Sequence, residues 1–213
     1  MAVDDPRGLA RKLLKTAGTT YATAAGITLT DTPRPLFQLL MLCSMMSKPI
    51  SAEIAVAAAK ELFALGLRSP AAVSKADRSA MIKAFGRASY ARYDESTASR
   101  LPEMAAMAKD KYGGDLRRLA DEAHRDPAAT KKLLKEFKGI GDTGADIFLR
   151  EVQDVWTWAR PYFDTKAITS ARKLGLPTDP EELAKLAPRS QSRLAAALIR
   201  VSLDDDLRTR MRG

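Results

Sequence analysis

The chain contains one cysteine, Cys43, and one histidine, His124, among 213 residues. A lone thiol rules out an intramolecular disulfide, and it rules out an iron–sulfur cluster held by four cysteines of one chain. A lone imidazole leaves no set of ligands for a histidine-based zinc site. Cys43 lies inside an apolar run and reads as a buried structural thiol. His124 reads as a solvated residue at a helix end. Strand-length alternation of apolar and polar residues is missing, which excludes a β-rich fold. No apolar run approaches the roughly 20 residues that a membrane-spanning helix needs. The opening Met1-Ala2-Val3-Asp4-Asp5-Pro6 is too polar for a signal peptide. There is no internal repeat and no low-complexity tract. The expectation is a soluble, intracellular (cytoplasmic), all-α protein without a membrane segment.

What the chain has in excess is positive charge. Lys and Arg number 35 against 26 Asp and Glu, a formal charge of +9. That balance favours a polyanionic partner. With 46% hydrophobic residues the chain can bury one sizeable core or two small ones. The amphipathic periodicity argues against a disordered basic tail.

The pattern predicts helices bounded by cap signals. Asp5-Pro6 starts a basic amphipathic helix carrying Leu9, Leu13 and Leu14. Residues 18–30 read as a small, polar linker. Thr32-Pro33 opens a helix apolar on every side, which marks central core, and Lys48-Pro49 ends it. Met41, Met45 and Met46 read as core filler. Ser51, Ser69-Pro70 and Asp77 start the next helices, followed by a longer one over 94–112 that Pro102 should start or kink. Asp115 reads as the cap of a short helix to Ala123, and Asp126-Pro127 opens another. Over 155–162 the pattern breaks, around Trp156, Trp158, Pro161 and Tyr162. It resumes as short helices over 165–174 and from Asp179-Pro180, then as one long helix over 190–207.

Two motifs stand out. Phe137-Lys138-Gly139-Ile140-Gly141-Asp142-Thr143-Gly144-Ala145 joins two helical patterns. Two glycines around one apolar residue permit a sharp turn and close approach to a ligand. The following helix begins with free N–H groups, which suit a phosphate. This stretch resembles a helix-hairpin-helix motif, against the plainer reading of an ordinary helix corner. Downstream, Phe163-Asp164-Thr165-Lys166 precedes Arg172-Lys173-Leu174-Gly175-Leu176. The pair of motifs, at this spacing, resembles the helix-hairpin-helix (HhH-GPD) superfamily of DNA glycosylases, endonuclease III-like, with weaker similarity from about Pro35 to Leu176.

The resemblance implies two helical lobes with a cleft between them. Residues 34–150 would form one lobe ending in the hairpin, and residues 1–33 with 151–213 the other. It implies a base-excision repair enzyme, a monomer acting on double-stranded DNA. The glycosylase would hydrolyse the N-glycosidic bond of a damaged or mismatched base. Asp164 matches the family's catalytic aspartate, which stabilises the oxocarbenium-like transition state and orients water. The plain reading of Asp164 is a helix N-cap, and both roles can coexist. Family members that also cleave the strand carry a lysine where this chain has Thr143, so a monofunctional hydrolase without lyase activity is implied. Amides of Gly139, Gly141, Thr143 and Gly144 would hold a phosphate, with Lys138 nearby. Asp142 would cap the helix and point away. Lys48 and Lys166 would contact phosphates, and Met46 would act as a wedge where a family glutamine enters the duplex. Trp156, Trp158, Tyr162, Tyr90 and Tyr93 are candidates for the wall of a base pocket, each also readable as core. The family hairpin often binds K+ or Na+ through backbone carbonyls, here those of Lys135, Phe137 and Ile140. No other cofactor is implied, and no iron–sulfur cluster. Two alternatives remain: a non-catalytic DNA-binding protein on the same fold, and an abasic-site lyase using Lys48 or Lys166.

Overall fold

The computed structural model describes residues 5–212. All regular structure among them is helical, with no strand. The chain divides into two compact units, Met1–Tyr21 with Leu149–Gly213, and Ala22–Phe148.

Capping residues set most helix starts. Helix α1 spans Pro6–Ala17, and the Asp5 carboxylate accepts from Gly8 N–H at 2.7 Å. A four-residue helix, α2 (Tyr21–Ala24), lies where the sequence reads as linker. Tyr21, Ala25 and Ile27 are all buried there, so this segment contributes apolar surface that its polar composition conceals.

In the larger unit, α3 (Pro33–Met46) is the most buried element. Leu36, Phe37, Leu39, Leu40 and Leu42 are fully covered, as a helix apolar on all sides requires. Full burial of each such side chain is worth ~1.5–3 kcal/mol, so Phe37→Ala should cost ~3–5 kcal/mol. Helix α4 (Ala52–Ala64) packs on α3, with the Ser51 hydroxyl accepting from Ile54 N–H at 3.3 Å. Helices α5 (Pro70–Val73) and α6 (Arg78–Arg87) pack on α7 (Asp94–Tyr112), which Gly113 closes at φ 63°. Helix α8 spans Arg117–Glu122, later than its aspartate suggests. Asp115 accepts from Arg117 N–H at 3.0 Å in a turn, so Leu116, not Asp115, stands at the cap position. Helix α9 (Pro127–Leu134) is capped by Asp126, and α10 (Asp142–Val152) follows the hairpin.

In the smaller unit, α13 (Gln191–Leu203) packs against both α1 and α11 (Thr165–Lys173), after the short α12 (Pro180–Ala184). Leu194, Leu198 and Val201 of α13 are fully covered. Arg193 and Arg200 donate to the carbonyls of Gly18 and Thr19, tying the end of α1 to α13. The long C-terminal helix expected over 190–207 is broken instead. Asp204 leaves the helical region and accepts from Leu207 N–H at 2.8 Å, starting α14 (Asp205–Arg212).

Candidate nucleic-acid interface

The hairpin is built by anchoring its apolar residues and exposing the rest. Phe137 is fully buried and lies 6.1 Å, ring to ring, from Tyr112. Ile140 is 4% exposed. Between them, Gly139 adopts φ 99°, a left-handed conformation that favours glycine. The Ile140 amide closes the turn on the Phe137 carbonyl at 2.9 Å. Gly141, Asp142 and Thr143 are exposed. Nothing among the described residues accepts from the amides of Gly139, Gly141 or Thr143. A methyl group added at Gly141 would meet no atom within 4 Å. The corner therefore carries three donors without acceptors at the positive end of α10. Gly144 faces inward instead, since a β-carbon there would come 2.5 Å from the Ser47 hydroxyl. Its role is close packing of α10 against the end of α3, and its burial sets it apart from the exposed turn.

The hairpin's lysines are largely engaged within the protein. Lys138 pairs with Glu103 at 2.9 Å, Lys135 with Asp142 at 2.9 Å, and Lys131 with Asp146 at 2.6 Å. Asp142 does not cap α10. It turns back to Lys135, whose hydrogen bond holds the carboxyl below the usual carboxylate range, with Lys131 adding to the effect. This removes much of the conflict between Asp142 and an approaching phosphate.

Two cations beside the hairpin are not engaged in this way. The stem of Arg100, on α7, lies 3.6 Å from where a Gly139 β-carbon would stand. Lys48 follows Ser47, which touches Gly144. Neither Arg100 nor Lys48 has an ion-pair partner among the described residues. Partial burial, and then the Arg100 guanidinium, push the Lys48 ammonium below the ordinary lysine range. Arg100 also influences Tyr90, whose hydroxyl is 3.1 Å from the Thr97 hydroxyl. Burial raises the Tyr90 pKa more than Arg100 lowers it. Tyr90 is 1% exposed and belongs to the core, with Phe85 at 5.0 Å and Tyr93 at 6.3 Å between ring centres. Met46 is half-buried at the last position of α3.

The second motif is organised differently. Asp164 N-caps α11, its Oδ1 accepting from Ala167 N–H at 2.9 Å. Its Oδ2 is taken by the Arg150 guanidinium. The Asp164 side chain is 6% exposed and that of Arg150 3%. Gln153 explains how the two meet. Its amide nitrogen donates to the carbonyls of Arg150 and Tyr162, and its oxygen accepts from Tyr162 N–H, each at 3.0 Å. The end of α10 is thereby fastened to the loop just before Asp164. The Arg150 Nε is buried without an acceptor among the described residues. In the same unit Trp156 is 2% exposed and stacks on the half-buried Trp158, with ring centres 5.1 Å apart. Tyr162 is half-buried. Lys166 is exposed and lines a shallow cavity of about 290 Å³ with Thr165, Thr169, Ser170, Lys173 and Ser202.

The candidates thus fall into two groups. Hairpin residues, Met46, Lys48, Tyr90 and Tyr93 belong to the larger unit; Asp164, Lys166, Trp156, Trp158 and Tyr162 belong to the smaller. Sequence reasoning passed over Arg100 and Arg150. Arg100 carries no local signal beyond the nearby Glu103, which serves Lys138 instead. Arg150 looks like an ordinary charge in the last turn of a helix. No group of three or more His, Cys, Asp or Glu side chains suited to a metal ion occurs among the described residues. No helix among them is long and apolar enough to cross a membrane. Compared with models of protein families and with curated proteins, the sequence matches none.

Proposed function

We propose that this protein grips the backbone of duplex DNA through its hairpin and hydrolyses the N-glycosidic bond of a damaged or mismatched base. The observation that carries the reading is the glycine corner, where the amides of Gly139, Gly141 and Thr143 have no acceptor among the described residues, at the start of an 11-residue helix. A phosphate diester supplies the acceptors these donors lack. The net charge of +9 supports the same partner. Asp164 is the carboxylate for the chemical step. It would stabilise positive charge developing on the sugar and orient water. Thr143 has no amine with which to form an imine, so the reaction proposed is hydrolysis without strand cleavage. The monovalent cation of the resembled hairpins would sit on the carbonyls of Lys135, Phe137 and Ile140. The Phe137 oxygen already accepts from the Ile140 amide and keeps its second lone pair for such an ion.

A specific observation favours a second reading. Both oxygens of Asp164 are occupied, one by Ala167 N–H and one by Arg150, and the side chain is almost wholly covered. A carboxylate that only caps and pairs belongs to a DNA-binding protein that uses the fold without the chemistry. Incubating the protein with duplexes carrying a panel of damaged bases, followed by alkali, separates the two. Lesion-dependent cleavage that drops by about a hundredfold or more in a folded Asp164→Asn variant supports hydrolysis. Duplex binding with no cleavage on any lesion above the Asp164→Asn level overturns hydrolysis and leaves the binding protein.

A further inference from the structure

Around the hairpin, protein carboxylates neutralise three lysines. Glu103 takes Lys138, Asp142 takes Lys135 and Asp146 takes Lys131. Arg100 and Lys48 are not neutralised in this way. They lie beside the same corner, close enough to act on each other, and no ion pair to either forms among the described residues. Like charges held near each other, partly out of water, raise the energy of the free protein unless an anion joins them. The stem of Arg100 is held against Gly139, which limits where the guanidinium can reach. Lys48 leaves the end of α3 directly after Ser47, whose hydroxyl is bonded to the Cys43 carbonyl at 2.7 Å and abuts Gly144. The stem of Arg100 and the chain at Lys48 therefore both lie beside the hairpin.

We propose that Arg100 and Lys48 form a seat for a backbone phosphate of nucleic acid, beside the one that the hairpin amides engage. The inference deepens the DNA-binding reading and rests on it. It assigns the principal cationic contact to residues on α7 and at the end of α3, and withdraws it from Lys138, which Glu103 already holds. Arg100 supplies a planar fork that matches two phosphate oxygens, and Lys48 supplies a point charge. The ligand class is a phosphodiester. Inorganic phosphate offers the same oxygens without the neighbouring phosphates that a duplex presents to the amides of Gly139, Gly141 and Thr143. Duplex backbone is therefore the ligand we assign.

The test is duplex binding by fluorescence anisotropy across a range of salt, for the wild-type chain and for Arg100→Gln, Lys48→Gln, Arg100→Lys and Lys138→Gln. Each lost phosphate contact should reduce the slope of log K against log salt by about one. Arg100→Gln and Lys48→Gln are each expected to show that reduction and to bind on the order of tenfold more weakly, with Arg100→Lys retaining the slope. Lys138→Gln is expected to bind within about twofold of wild type. Thermal melts of all variants establish that they are folded, and Arg100→Lys carries the comparison if Arg100→Gln is not. For that case, Arg100→Lys must bind more weakly than Lys138→Gln, because an ammonium cannot reproduce the fork. Equal slopes for wild type and Arg100→Gln, or equal losses for Arg100→Gln and Lys138→Gln, overturn the seat while leaving DNA binding intact. A wild-type chain that ignores duplex overturns the DNA reading as a whole, and titration with inorganic phosphate then shows whether a bare anion is the ligand instead.

Discussion

Helices α10 and α11 both begin beside an aspartate, and the two starts have opposite characters. At α10, the Asp142 side chain is 69% exposed, its partners are lysines, and the amides of Gly139, Gly141 and Thr143 have no acceptor among the described residues. At α11, the Asp164 side chain is 6% exposed, bonded to Ala167 N–H and held by a buried arginine. A carboxylate at a helix start is favoured in both places for the same reason, the uncompensated N–H groups and the dipole. What separates them is the neighbour. A surface lysine leaves water at the site, and a buried guanidinium displaces it. The first start suits a large anionic ligand that arrives from solvent. The second is a fastening, and any chemistry at Asp164 has to share the carboxylate with Arg150.

The largest effect is expected from breaking the fastening. Arg150→Met leaves the Asp164 carboxylate covered and without its partner, and should lower stability by about 3–5 kcal/mol in denaturant melts at neutral pH. Adding Asp164→Asn to it should restore much of the loss, since Asn still caps a helix. A negligible effect of Arg150→Met would show that water reaches Asp164 freely, and the contrast between the two starts would vanish. Next in size is Gly139→Ala. The space around Gly139 is adequate, but φ 99° is strained for any side chain, so a loss of ~1–3 kcal/mol is expected by the same measurement.

Gly141→Val sharpens the comparison in the other direction. Beyond its chain neighbours, no described atom lies within 4 Å of a β-carbon there, so the melt should move by at most ~1 kcal/mol. Duplex affinity should nevertheless fall by on the order of tenfold, because the branched side chain keeps a phosphate from the amides. Affinity unchanged in this variant would mean that the corner is not the gripping surface. The smallest effect concerns Asp142. Its folded pKa is depressed by Lys135, so the stabilisation it provides is present above the ordinary carboxylate range and is lost as pH falls through the depressed value. Because the pair is exposed, the acid limb of the stability curve should shift only slightly in Lys135→Gln, and less still at high salt.

The helices themselves were legible from local chemistry. Asp5, Ser51, Asp77, Asp126, Asp164 and Asp179 each accept from an amide three residues on, as their position before an apolar or Pro-led run suggests. The run from Leu36 to Met45 is buried on all sides, as its composition requires. Reading failed where a local signal competed with another. Asp115 formed a turn with Arg117 before the helix could start, and Asp204 interrupted a pattern that looked continuous to Leu207. Residues 18–30 looked like linker because Tyr21 and Ile27 stand among small polar residues, and burial of isolated apolar side chains leaves no period to detect.

The candidate site was legible in its backbone and much less so in its charges. The two glycines of the corner announce a tight turn from composition alone, and Gly139 does adopt the left-handed conformation. The partners of the charged side chains were not visible. Lys138 meets Glu103 across 35 positions of sequence, and Arg150 meets Asp164 across 14. From the order of residues, an all-helical chain with capped boundaries, an apolar central helix, a glycine corner and a basic balance could be established, because caps and periodicity act within one or two turns of chain. Which cations stay available to a ligand, and that Asp164 is closed by an arginine, only the tertiary structure decided, because ion pairing depends on which distant side chains packing brings within a few ångströms.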